Sequence, residues 1–518
     1  MYNDRYDLDT GTLIPYIQMF QESLQKNRTK TALLYGEDEI TYEELDLRSS
    51  RVAAYLSHNA VTSRSIVGLF MKRTLDLPIT LLGIMKTGAS FLPLDPDYPQ
   101  QRIRHIIEDS GCQLIIVNQA LKTSLDYYGH TVVAYEEIHQ YEEIGYQLPT
   151  VSMVAAAYLL YTSGSTGLPK GTVINQQALA SFVYGVTKEI QFSQAQTMLF
   201  LTTISFDISL LELLIPLLYG MKIVIADERG QRNPYLLKKI ITEKDIDMLQ
   251  MTPSAMQLLI NYDKELDCLR RVSHVLLGGE ALPSPVLEHI RNYTDVNIYN
   301  LYGPTETTIW CMVSDLTNQD TVTIGIPFHS VKVYVLDSAM NEVEPGGVGE
   351  LYIGGPQVAG GYWNSPEHTT EKFKNYSNIE AGIIFKTGDL VRLSEVGKFE
   401  FMGRSDHLVK IRGFRIEPGE VEAVLLRQEG ITHAAVVPRM GKNGNLYLSG
   451  YYVSDELVDK QTLVDSLRNV LPSYMIPEQL TQLEQLPYTP NFKVDRKYLA
   501  SLDFNACRYN KVISDQGV

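Results

Sequence analysis

The first 150 residues alternate helical and strand-like patterns, and this alternation limits the possible folds more than any other feature of the chain. Thr41–His58 has helical apolar spacing and begins with Thr-x-x-Glu, the pattern of a capping box. Ser65–Phe70 has the apolar run of a buried strand, Leu77–Thr87 has a helical pattern, and Ser90–Leu94 returns to a strand. The alternation predicts an α/β fold with largely parallel sheets.

The pattern changes after about Thr323. Short strand patterns separated by Gly-rich turns, as in Val331–Asp337 and Gly349–Gly354, predict a small antiparallel or barrel-like piece. Beyond Arg404, strands and helices alternate again over about 100 residues, which is the size of a separate small domain. We therefore expect a large N-terminal domain, a small α+β C-terminal domain and a poorly structured tail over 506–518.

Charge and hydropathy exclude several classes of protein. The 518 residues contain 45 Lys and Arg against 61 Asp and Glu, a net charge of −16, which argues against a broad nucleic-acid surface. The four cysteines have no metal-binding spacing and are expected to be reduced thiols. The apolar stretch Leu210–Ala226 is interrupted by Glu212, Pro216 and Lys222, so no membrane span is predicted. The N-terminus lacks the pattern of a signal peptide, and we expect a cytoplasmic protein.

The strongest local motif is YTSGSTGLPKG at Tyr161–Gly171, which follows an apolar strand pattern. Ser, Thr and Gly fill positions 162–167, and small residues let backbone N–H groups approach phosphate oxygens while hydroxyls add donors. Lys170 adds a positive charge, but Pro169 separates it from the glycine, so this is not a Walker loop. The pattern predicts a phosphate-binding loop, although flexible connections have a similar composition.

The ordered set of motifs resembles the adenylate-forming superfamily: acyl-CoA synthetases, firefly-type luciferases and the adenylation domains of nonribosomal peptide synthetases. The resemblance covers nearly the whole chain and implies an ATP- and amino-acid-binding core over 1–404, a hinge, and a mobile C-terminal domain over 405–505. The further motifs that carry it are LGIMKTGASFLPLDPDYPQQR (82–102), FDIS (206–209), YGPTE (302–306), GELYIGG (349–355), KTGDLVR (386–392), GRSDHLVKIRGFRIEPGEVE (403–422), LPSYMIP (471–477) and LPYTPNFKVDRK (486–497).

The reaction that the resemblance implies joins a carboxylate to ATP, giving an acyl-adenylate and pyrophosphate. Such chemistry needs positioning and charge stabilisation more than covalent catalysis. ATP and Mg²⁺ are the implied cofactors, with Glu306 as the Mg²⁺ ligand and Thr305 contacting the α-phosphate. Mg²⁺ is typically held by few protein carboxylates together with substrate phosphates. The implied ATP-binding positions are Thr162, Ser163, Gly164, Ser165, Thr166, Gly167, Lys170, Gly279, Glu280, Ala281, Asn300, Tyr302, Gly303, Asp389 and Arg404.

Among these positions, the resemblance gives the ring of Tyr302 to adenine and the carboxylate of Asp389 to both ribose hydroxyls. Asp406 falls at the hinge. Lys493 matches the catalytic lysine that reaches the substrate carboxylate and the α-phosphate. The family usually has Asn-Gly-Lys there, but this chain has Phe492 before the lysine. Since Phe does not adopt φ > 0 as freely as Gly, either the loop uses an ordinary φ or the delivery of the lysine is altered.

The FDIS motif supplies Asp207, which in amino-acid-activating members pairs with the substrate ammonium group. Trp310 and its apolar neighbours would fill the pocket and exclude larger substrates by steric clash, although plain core packing is the alternative. The full set resembles that of glycine-activating domains. Its members are Asp207, Ile208, Leu211, Gln250, Leu276, Gly278, Leu301, Ile309, Trp310 and Lys493.

No condensation-domain motif or carrier site is recognisable in the chain. We therefore expect a stand-alone adenylation enzyme of secondary metabolite biosynthesis that loads the phosphopantetheine thiol of a separate peptidyl carrier protein, with the need for a small accessory protein left open. One alternative is a D-alanine–carrier protein ligase or an alanine-activating enzyme. An acyl- or aryl-CoA synthetase is disfavoured by Asp207. A catalytically silent partner-binding protein is supported only by Phe492.

Overall fold

The computed structural model describes residues 13–125, 129–141, 146–164, 167–376, 382–394, 397–441, 445–454, 456, 458–489 and 493–502. The chain divides into two compact units. The first consists of Met1–Pro96, Arg104–Tyr161 and Lys170–Asp406, and the second of Asp97–Ile103, Thr162–Pro169 and His407–Val518. The predicted mobility of residues 405–505 stays a prediction.

The helices of the first unit include the one predicted from the Thr-x-x-Glu pattern. The Thr41 hydroxyl accepts a hydrogen bond from the backbone N–H of Glu44 and caps α2, which confirms the predicted helix start. In chain order, the helices lying wholly or mostly in this unit are α1 (Tyr16–Asn27), α2 (Tyr42–His58), α3 (Asp76–Thr87), α4 (Gln100–Ser110), α5 (Tyr135–His139), α6 (Gln176–Glu189), α7 (Ser209–Leu218), α8 (Glu228–Arg232), α9 (Pro234–Glu243), α10 (Pro253–Tyr262), α11 (Ser284–Tyr293) and α12 (Pro366–Lys372).

The strands of the first unit form three sheets among the described residues. They are β1 (Thr31–Tyr35), β2 (Asp38–Thr41), β3 (Ile66–Phe70), β4 (Ser90–Pro93), β5 (Leu114–Val117), β6 (Thr131–Ala134), β7 (Ala156–Thr162), β8 (Lys170–Asn175), β9 (Thr197–Phe200), β10 (Lys222–Ile225), β11 (Met248–Met251), β12 (His274–Gly278), β13 (Asn297–Tyr302), β14 (Met312–Asp315), β15 (Ile326–Pro327), β16 (Lys332–Leu336), β17 (Val348–Gly354), β18 (Phe373–Asn375), β19 (Ile383–Leu393) and β20 (Phe399–Arg404).

Two of the sheets are rich in parallel strands. One has the order β6-β5-β3-β4-β7-β8, and its pairings from β6 to β7 are parallel. The other has the order β15-β14-β13-β12-β11-β9-β10-β1-β2, with a parallel run from β13 to β1 and antiparallel strands at both edges. Helices alternate with the parallel strands along the chain, as crossover connections require. The predicted α/β architecture is confirmed.

The third sheet of the first unit is antiparallel. It has the order β16-β17-β19-β18, and β20 pairs with β19 on the same sheet. The strands fall where short strand patterns and Gly-rich turns follow one another in the sequence. The predicted change from parallel to antiparallel pairing is therefore confirmed.

The second unit has its own core and combines a two-stranded and a three-stranded sheet with helices. The predicted smaller α+β domain is confirmed as a fold. Its elements are β21 (Val409–Ile411), β22 (Phe414–Ile416), α13 (Pro418–Leu425), β23 (Ile431–Met440), β24 (Leu446–Ser454), α14 (Lys460–Arg468), β25 (Gln479–Leu483) and α15 (Arg496–Ser501).

Helix α7 is buried along its whole length, in contrast to the half-exposed helices of most soluble domains. Its sequence SLLELLIPLL contains a single charged residue, Glu212. Across the part of the chain that the structure describes, no helix combines the length and the apolar character that crossing a membrane would need. The hydrophobicity of α7 therefore reflects its position inside the first unit.

Candidate active site

The predicted pocket residues on β11, β12 and β13 share one face of the nine-stranded sheet. Gln250 pairs with Leu276, and Gly278 pairs with Leu301. Paired residues on neighbouring strands present their side chains to the same side, and residues two apart on one strand do so too. The four positions also lie at the carboxyl ends of parallel strands, where open α/β sheets bind ligands.

The indole of Trp310 packs against this face. Its Nε1–H donates to Oε1 of Gln250 at 2.9 Å. A Cβ atom at Gly278 would stand 2.6 Å from Cη2 of Trp310 and 2.7 Å from the carbonyl oxygen of Leu301, so only glycine leaves room for the indole in this position. Trp310 is only 1% exposed. The structure therefore brings the predicted pocket residues Trp310, Gln250, Gly278 and Leu301 together.

Three further pocket residues surround the start of α7. Asp207 and Ile208 precede the helix, Leu211 lies in its first turn, and all three are buried. The carbonyl of Ile208 accepts a hydrogen bond from Nε2 of Gln250 at 2.9 Å, which joins this turn to β11. Burial, and then the charge of Asp207, raise the pKa of the Tyr158 hydroxyl well above its usual value. Tyr158 on β7 therefore lies within electrostatic reach of the carboxylate that was predicted to bind an ammonium group.

Glu212 is a polar residue of this region that, in the sequence, only interrupts an apolar stretch. Its Oε2 accepts from the backbone N–H groups of Leu201 at 2.8 Å and Thr202 at 2.9 Å. Its Oε1 accepts from the Thr202 hydroxyl and from Nε2 of Gln250, the latter at 2.8 Å. Burial raises the pKa of Glu212 to about 7, while these hydrogen bonds act in the opposite direction.

The turn that leads to Trp310 has unusual backbone geometry. Thr308 and Ile309 have φ of 62° and 69°, a region that β-branched residues rarely adopt. The fully buried side chain of Gln357 donates through Nε2 to the carbonyls of Thr307 at 2.9 Å, Thr308 at 3.2 Å and Trp310. The Thr308 hydroxyl in turn donates to the Gln357 carbonyl at 2.8 Å. Gln357 thus holds the strained turn that sets the positions of Ile309 and Trp310.

Three predicted nucleotide contacts meet beside the antiparallel sheet of the first unit. The Tyr302 hydroxyl donates to Oδ2 of Asp389, and Nη1 of Arg404 donates to Oδ1 of the same carboxylate. Arg404 also donates from Nε and Nη2 to the two carboxylate oxygens of Asp406, at 2.7 and 2.9 Å. Asp389 is buried, so its charge requires these partners. The predicted hinge residue Asp406 is therefore joined through Arg404 to the predicted ribose ligand.

A second polar cluster contains the predicted metal ligand. Glu306 is buried, and its Oε1 accepts from the Tyr362 hydroxyl at 2.7 Å. The Lys170 Nζ lies 5.9 Å from the centroid of the Tyr362 ring. The carboxylate oxygens of Glu306 are hard ligands that fit Mg²⁺, and the nearby ammonium group of Lys170 fits the phosphates of the nucleotide that would carry the ion. Among the residues described, no group of three or more His, Cys, Asp or Glu side chains could hold a metal by itself.

Other predicted nucleotide contacts have structural partners of their own. The amide of Asn300 on β13 is buried and donates to the Thr323 carbonyl at 2.8 Å. The Glu280 carboxylate accepts from the backbone N–H of Ser254, at the start of α10. These bonds fix the ends of neighbouring segments, and the contacts of Asn300 and Glu280 with a nucleotide stay predictions.

The segments next to these residues are tight turns. Gly279 follows β12 with φ of 84°, and Ala281 is exposed two residues later. A Cβ atom at Gly303 would stand 2.6 Å from the Ile309 carbonyl oxygen, so the strained turn passes directly over the glycine. Thr305 begins a short 3₁₀ turn, Thr305–Thr307, that also contains Glu306. This turn follows the carboxyl end of β13, where a nucleotide site is expected.

Part of the predicted phosphate loop belongs to the second unit. The Ser163 hydroxyl donates to the Arg415 carbonyl at 2.9 Å, and the backbone N–H of Gly164 donates to Oε2 of Glu420 at 3.1 Å. Oε1 of Glu420 pairs with Arg102 at 2.6 Å, and both side chains are buried. One predicted phosphate donor, the Gly164 N–H, is thus paired with a carboxylate in this arrangement.

The rest of the phosphate loop is described in part. Thr162 ends β7, and Gly167 has φ of 83° with its Cα close enough to Ala423 that an added Cβ would approach it to 2.6 Å. The positive φ and the close approach both require glycine at this position. Ser165 and Thr166 lie outside the described residues, so their predicted roles stay predictions.

Lys493 lies on an exposed loop of the second unit. Its backbone N–H donates to Oγ1 of Thr489 at 3.3 Å, and its carbonyl accepts from the Thr489 N–H at 2.7 Å. Phe492, the departure from the family pattern, lies outside the described residues. The catalytic role of Lys493 stays a prediction.

Comparison with known proteins gives this geometry its context. Residues 20–363 match the AMP-binding enzyme family, and residues 420–493 match the AMP-binding enzyme C-terminal domain. The chain belongs to the AMP-binding enzyme family. The chain is 37% identical over 503 residues to a dimodular nonribosomal peptide synthase of Bacillus subtilis, across 95% of this chain and 21% of that protein. It spans between 7% and 21% of the length of the first curated relatives it matches.

Solved structures of related proteins agree with this assignment. An artificially fused adenylation–PCP di-domain nonribosomal peptide synthetase from Klebsiella oxytoca superposes with a TM-score of 0.83 at 25% identity, over 90% of this chain and 94% of that one. A four-domain nonribosomal peptide synthetase bound to AMP and glycine gives a TM-score of 0.70 at 33% identity, over 94% of this chain and 36% of that one. The prediction of an ATP-dependent, AMP-forming ligase is confirmed at the level of the family.

Sequence reasoning missed three polar residues in this AMP-binding enzyme's candidate site: Glu212, Gln357 and Tyr362. Glu212 could have been found as the only charge in a ten-residue apolar helix, because a buried carboxylate needs several donors. Tyr362 lies between GELYIGG and KTGDLVR, outside every quoted motif. Gln357 had no local signal, since its role depends on carbonyls about 50 residues earlier in the chain.

Proposed function

We propose that this AMP-binding enzyme activates a small amino acid, with glycine preferred, as its adenylate and then loads the aminoacyl group onto the phosphopantetheine thiol of a separate carrier protein in the cytoplasm. The observation that carries the proposal is the direct packing of Trp310 against Gln250 and Gly278 at the predicted pocket floor. The indole occupies the volume that a substrate side chain would need. A pocket filled in this way excludes larger amino acids by steric clash.

Asp207 supports an amino acid over a plain carboxylic acid as the substrate. The side chain is buried and lies within electrostatic reach of Tyr158, and a buried carboxylate attracts a positive charge strongly because little water screens the interaction. A substrate ammonium group would bring such a charge. An acyl or aryl acid would bring no such charge.

Alanine is the competing substrate that such a pocket would find hardest to reject, because it differs from glycine by one methyl group. A single methylene is worth about 1–3 kcal/mol in a hydrophobic pocket, which corresponds to roughly 10- to 200-fold in specificity. Because the substrate methyl would have to displace the Trp310 indole, steric exclusion favours glycine here. One of the solved relatives is bound to AMP and glycine, which supports the same preference.

The nucleotide is assigned to the two polar clusters of the first unit. In the proposed complex, the Asp389 carboxylate accepts from the ribose hydroxyls, while Arg404 keeps Asp406 as a partner. Lys170 and Glu306, which both contact Tyr362, would hold the phosphates and a Mg²⁺ ion. Bound Mg²⁺ would neutralise charge on the phosphate oxygens.

Two steps make up the proposed reaction. In the first, a carboxylate oxygen of the amino acid forms a bond to the α-phosphorus of ATP, and the bond to the bridging oxygen breaks so that pyrophosphate leaves. The ammonium group of Lys493 offsets the negative charge that develops there. In the second, the carrier thiol loses its proton, its sulfur bonds to the aminoacyl carbon, and AMP leaves. A solved relative that contains adenylation and PCP domains in one protein supports this partner, as does an artificial fusion of the two.

The proposal is tested by amino-acid-dependent exchange of pyrophosphate into ATP. Wild-type enzyme is assayed with glycine, L-alanine, D-alanine and leucine, beside Lys493→Ala and a matched control, Lys497→Ala, which changes another exposed lysine four residues away. We expect glycine-dependent exchange that Lys493→Ala abolishes and Lys497→Ala preserves. Release of AMP on addition of a holo carrier protein then tests the second step.

Other results of the same assay identify the alternatives. Faster exchange with D-alanine than with glycine would replace the glycine assignment with that of a D-alanine–carrier protein ligase. A preference for leucine would contradict the filled pocket. No exchange with any amino acid would contradict the proposed activity, and Phe492→Gly would then show whether the residue before the lysine is responsible.

A further inference from the structure

Glu212 has a complete set of hydrogen-bond donors inside the first unit. Two backbone N–H groups, of Leu201 and Thr202, point at Oε2, while the Thr202 hydroxyl and the Gln250 amide point at Oε1. Both oxygens are thus used as acceptors, which an ionised carboxylate can do and a neutral amide cannot. The four donors around Glu212 therefore suit the ionised carboxylate, and they oppose the rise of its pKa that burial causes.

The Gln250 amide is held in one orientation by its surroundings. Its NH₂ group faces two acceptors, Oε1 of Glu212 at 2.8 Å and the Ile208 carbonyl at 2.9 Å. Its oxygen faces a donor, the Nε1–H of Trp310 at 2.9 Å. A flip of the amide would place oxygen against two acceptors and NH₂ against a donor, so every one of these bonds would be lost.

The orientation of Gln250 in turn decides where the Trp310 ring lies. The indole has one N–H donor, and Oε1 of Gln250 accepts it, while the far edge of the ring fills the space beside Gly278. We infer that Glu212 is a specificity-positioning residue, which holds the Gln250 amide so that Trp310 stays across the pocket floor and excludes side chains larger than that of glycine. This inference deepens the proposed function and rests on it.

The substitution Glu212→Gln separates this role from simple packing, because it replaces one carboxylate oxygen by an NH₂ group and keeps the shape of the side chain. The two backbone N–H groups of Leu201 and Thr202 are fixed in place, so the new amide must turn its oxygen to them and its NH₂ to Gln250. Gln250 must then present its oxygen to this NH₂. Its own NH₂ would face the Trp310 N–H, and the bond that holds the indole is lost.

The matched control is Thr202→Val, which removes the hydroxyl donor to the same carboxylate oxygen while leaving Gln250 untouched. For each variant, kcat/KM is measured by exchange with glycine and with L-alanine. We expect Glu212→Gln to lower the ratio of glycine to alanine about tenfold, the scale of one methylene in a pocket. Thr202→Val should leave that ratio within about twofold, even where total activity falls.

A double-mutant cycle with Gln250→Leu tests whether Glu212 acts through Gln250. If it does, Gln250→Leu alone produces the same fall in the ratio, and adding Glu212→Gln changes it no further. An equal loss of activity with both amino acids, or additive effects in the cycle, would overturn the inference. If Glu212→Gln does not fold, an unchanged ratio in Gln250→Leu overturns it instead.

Trp310 also provides a readout that needs no activity. The chain contains two tryptophans, so Trp363→Phe leaves Trp310 as the only indole emitter. In that background we expect Glu212→Gln to shift the emission spectrum and Thr202→Val to leave it unchanged. If wild-type enzyme exchanges with no amino acid, the proposed function fails, and this spectrum still decides the positioning role: no shift in Glu212→Gln contradicts it.

Discussion

Glu212 and Asp389 are both buried carboxylates of the first unit, but their charges are compensated in different ways. Glu212, beside the proposed amino-acid pocket, accepts hydrogen bonds only from neutral donors: two backbone N–H groups, a hydroxyl and an amide. Asp389, in the predicted nucleotide site, accepts from the Tyr302 hydroxyl and from the guanidinium of Arg404. The hydrogen bonds to Glu212 therefore come from uncharged groups of the fold, while Asp389 forms an ion pair with Arg404.

Under the proposed function, this difference sets how each region would handle its ligand. All the hydrogen-bonding groups around Glu212 belong to the protein, so it has no need of a substrate atom and serves to fix other side chains. Arg404 bridges Asp389 and Asp406, so it keeps one carboxylate partner when the other turns to a ligand. We interpret the pocket as a rigid element that selects by shape, and the nucleotide site as one that exchanges polar partners.

The largest expected effect is on stability at different pH values and concerns Glu212. Burial raises its pKa from 4.5 to about 7, so the native state holds the proton more tightly than the unfolded chain does. Stability from this group is present below about pH 4.5 and is lost as the pH rises to about 7. The full loss corresponds to about 3 kcal/mol. The neighbouring charge of Arg73 interacts with Glu212 over the same range.

The measurement compares urea unfolding of wild type and Glu212→Gln between pH 4.5 and 8, because the amide cannot titrate. The free energy of unfolding of the wild type, relative to the variant, should fall as the pH rises and then level off. A difference that is constant with pH, or that rises, would contradict the raised pKa of Glu212.

A smaller effect is expected in the nucleotide site from Asp389→Asn. The variant removes the negative charge that accepts hydrogen bonds from Arg404 and Tyr302. It leaves one acceptor oxygen in place of the two carboxylate oxygens. Losing charge-assisted hydrogen bonds of about 2 kcal/mol should lower kcat/KM for ATP roughly 30-fold and leave the glycine-to-alanine ratio unchanged. Asp337→Asn, at an exposed aspartate after β16, serves as the control. A changed glycine-to-alanine ratio in Asp389→Asn would contradict the view that the pocket and the nucleotide site act independently.

The smallest effect is expected from Tyr362→Phe. The ring that contacts Lys170 remains, and only the hydroxyl that donates to Glu306 is removed. One hydrogen bond of about 1 kcal/mol predicts a roughly fivefold fall in exchange, seen as a higher requirement for Mg²⁺. Tyr235→Phe, at an exposed tyrosine of α9, should behave as wild type. An unchanged Mg²⁺ dependence would argue against Glu306 as the metal ligand.

Much of the fold could be predicted from the sequence because its signals are local. The Thr41 cap, the helices and strands that follow it, and the change to antiparallel strands all depend on residues a few positions apart. The sequence also predicts that Trp310, Gln250 and Gly278 lie close together, and the structure brings them into contact. Their roles in binding stay predictions, since geometry shows proximity and not affinity.

The polar groups that fix these side chains could not be predicted in the same way. Glu212 was an interruption in an apolar stretch when considered alone, and it became a hydrogen-bonding centre only once α7 was buried against β9 and β11. Gln250 lies 38 residues from Glu212 and 60 residues from Trp310 along the chain. No short-range pattern reports which of many polar side chains will meet across such distances.

Short-range signals in the sequence are enough to predict the order of helices and strands, the family and the positions proposed for the pocket, because periodicity, caps and motifs act over short stretches of chain. Which buried charges are compensated, and by which groups, depends on the tertiary structure. That outcome depends on the parallel register of β11, β12 and β13 and on the strained turn at Thr308, which together bring Trp310 against the sheet. A buried carboxylate is stable only where the fold supplies its donors, and donors from distant parts of the chain meet only after folding.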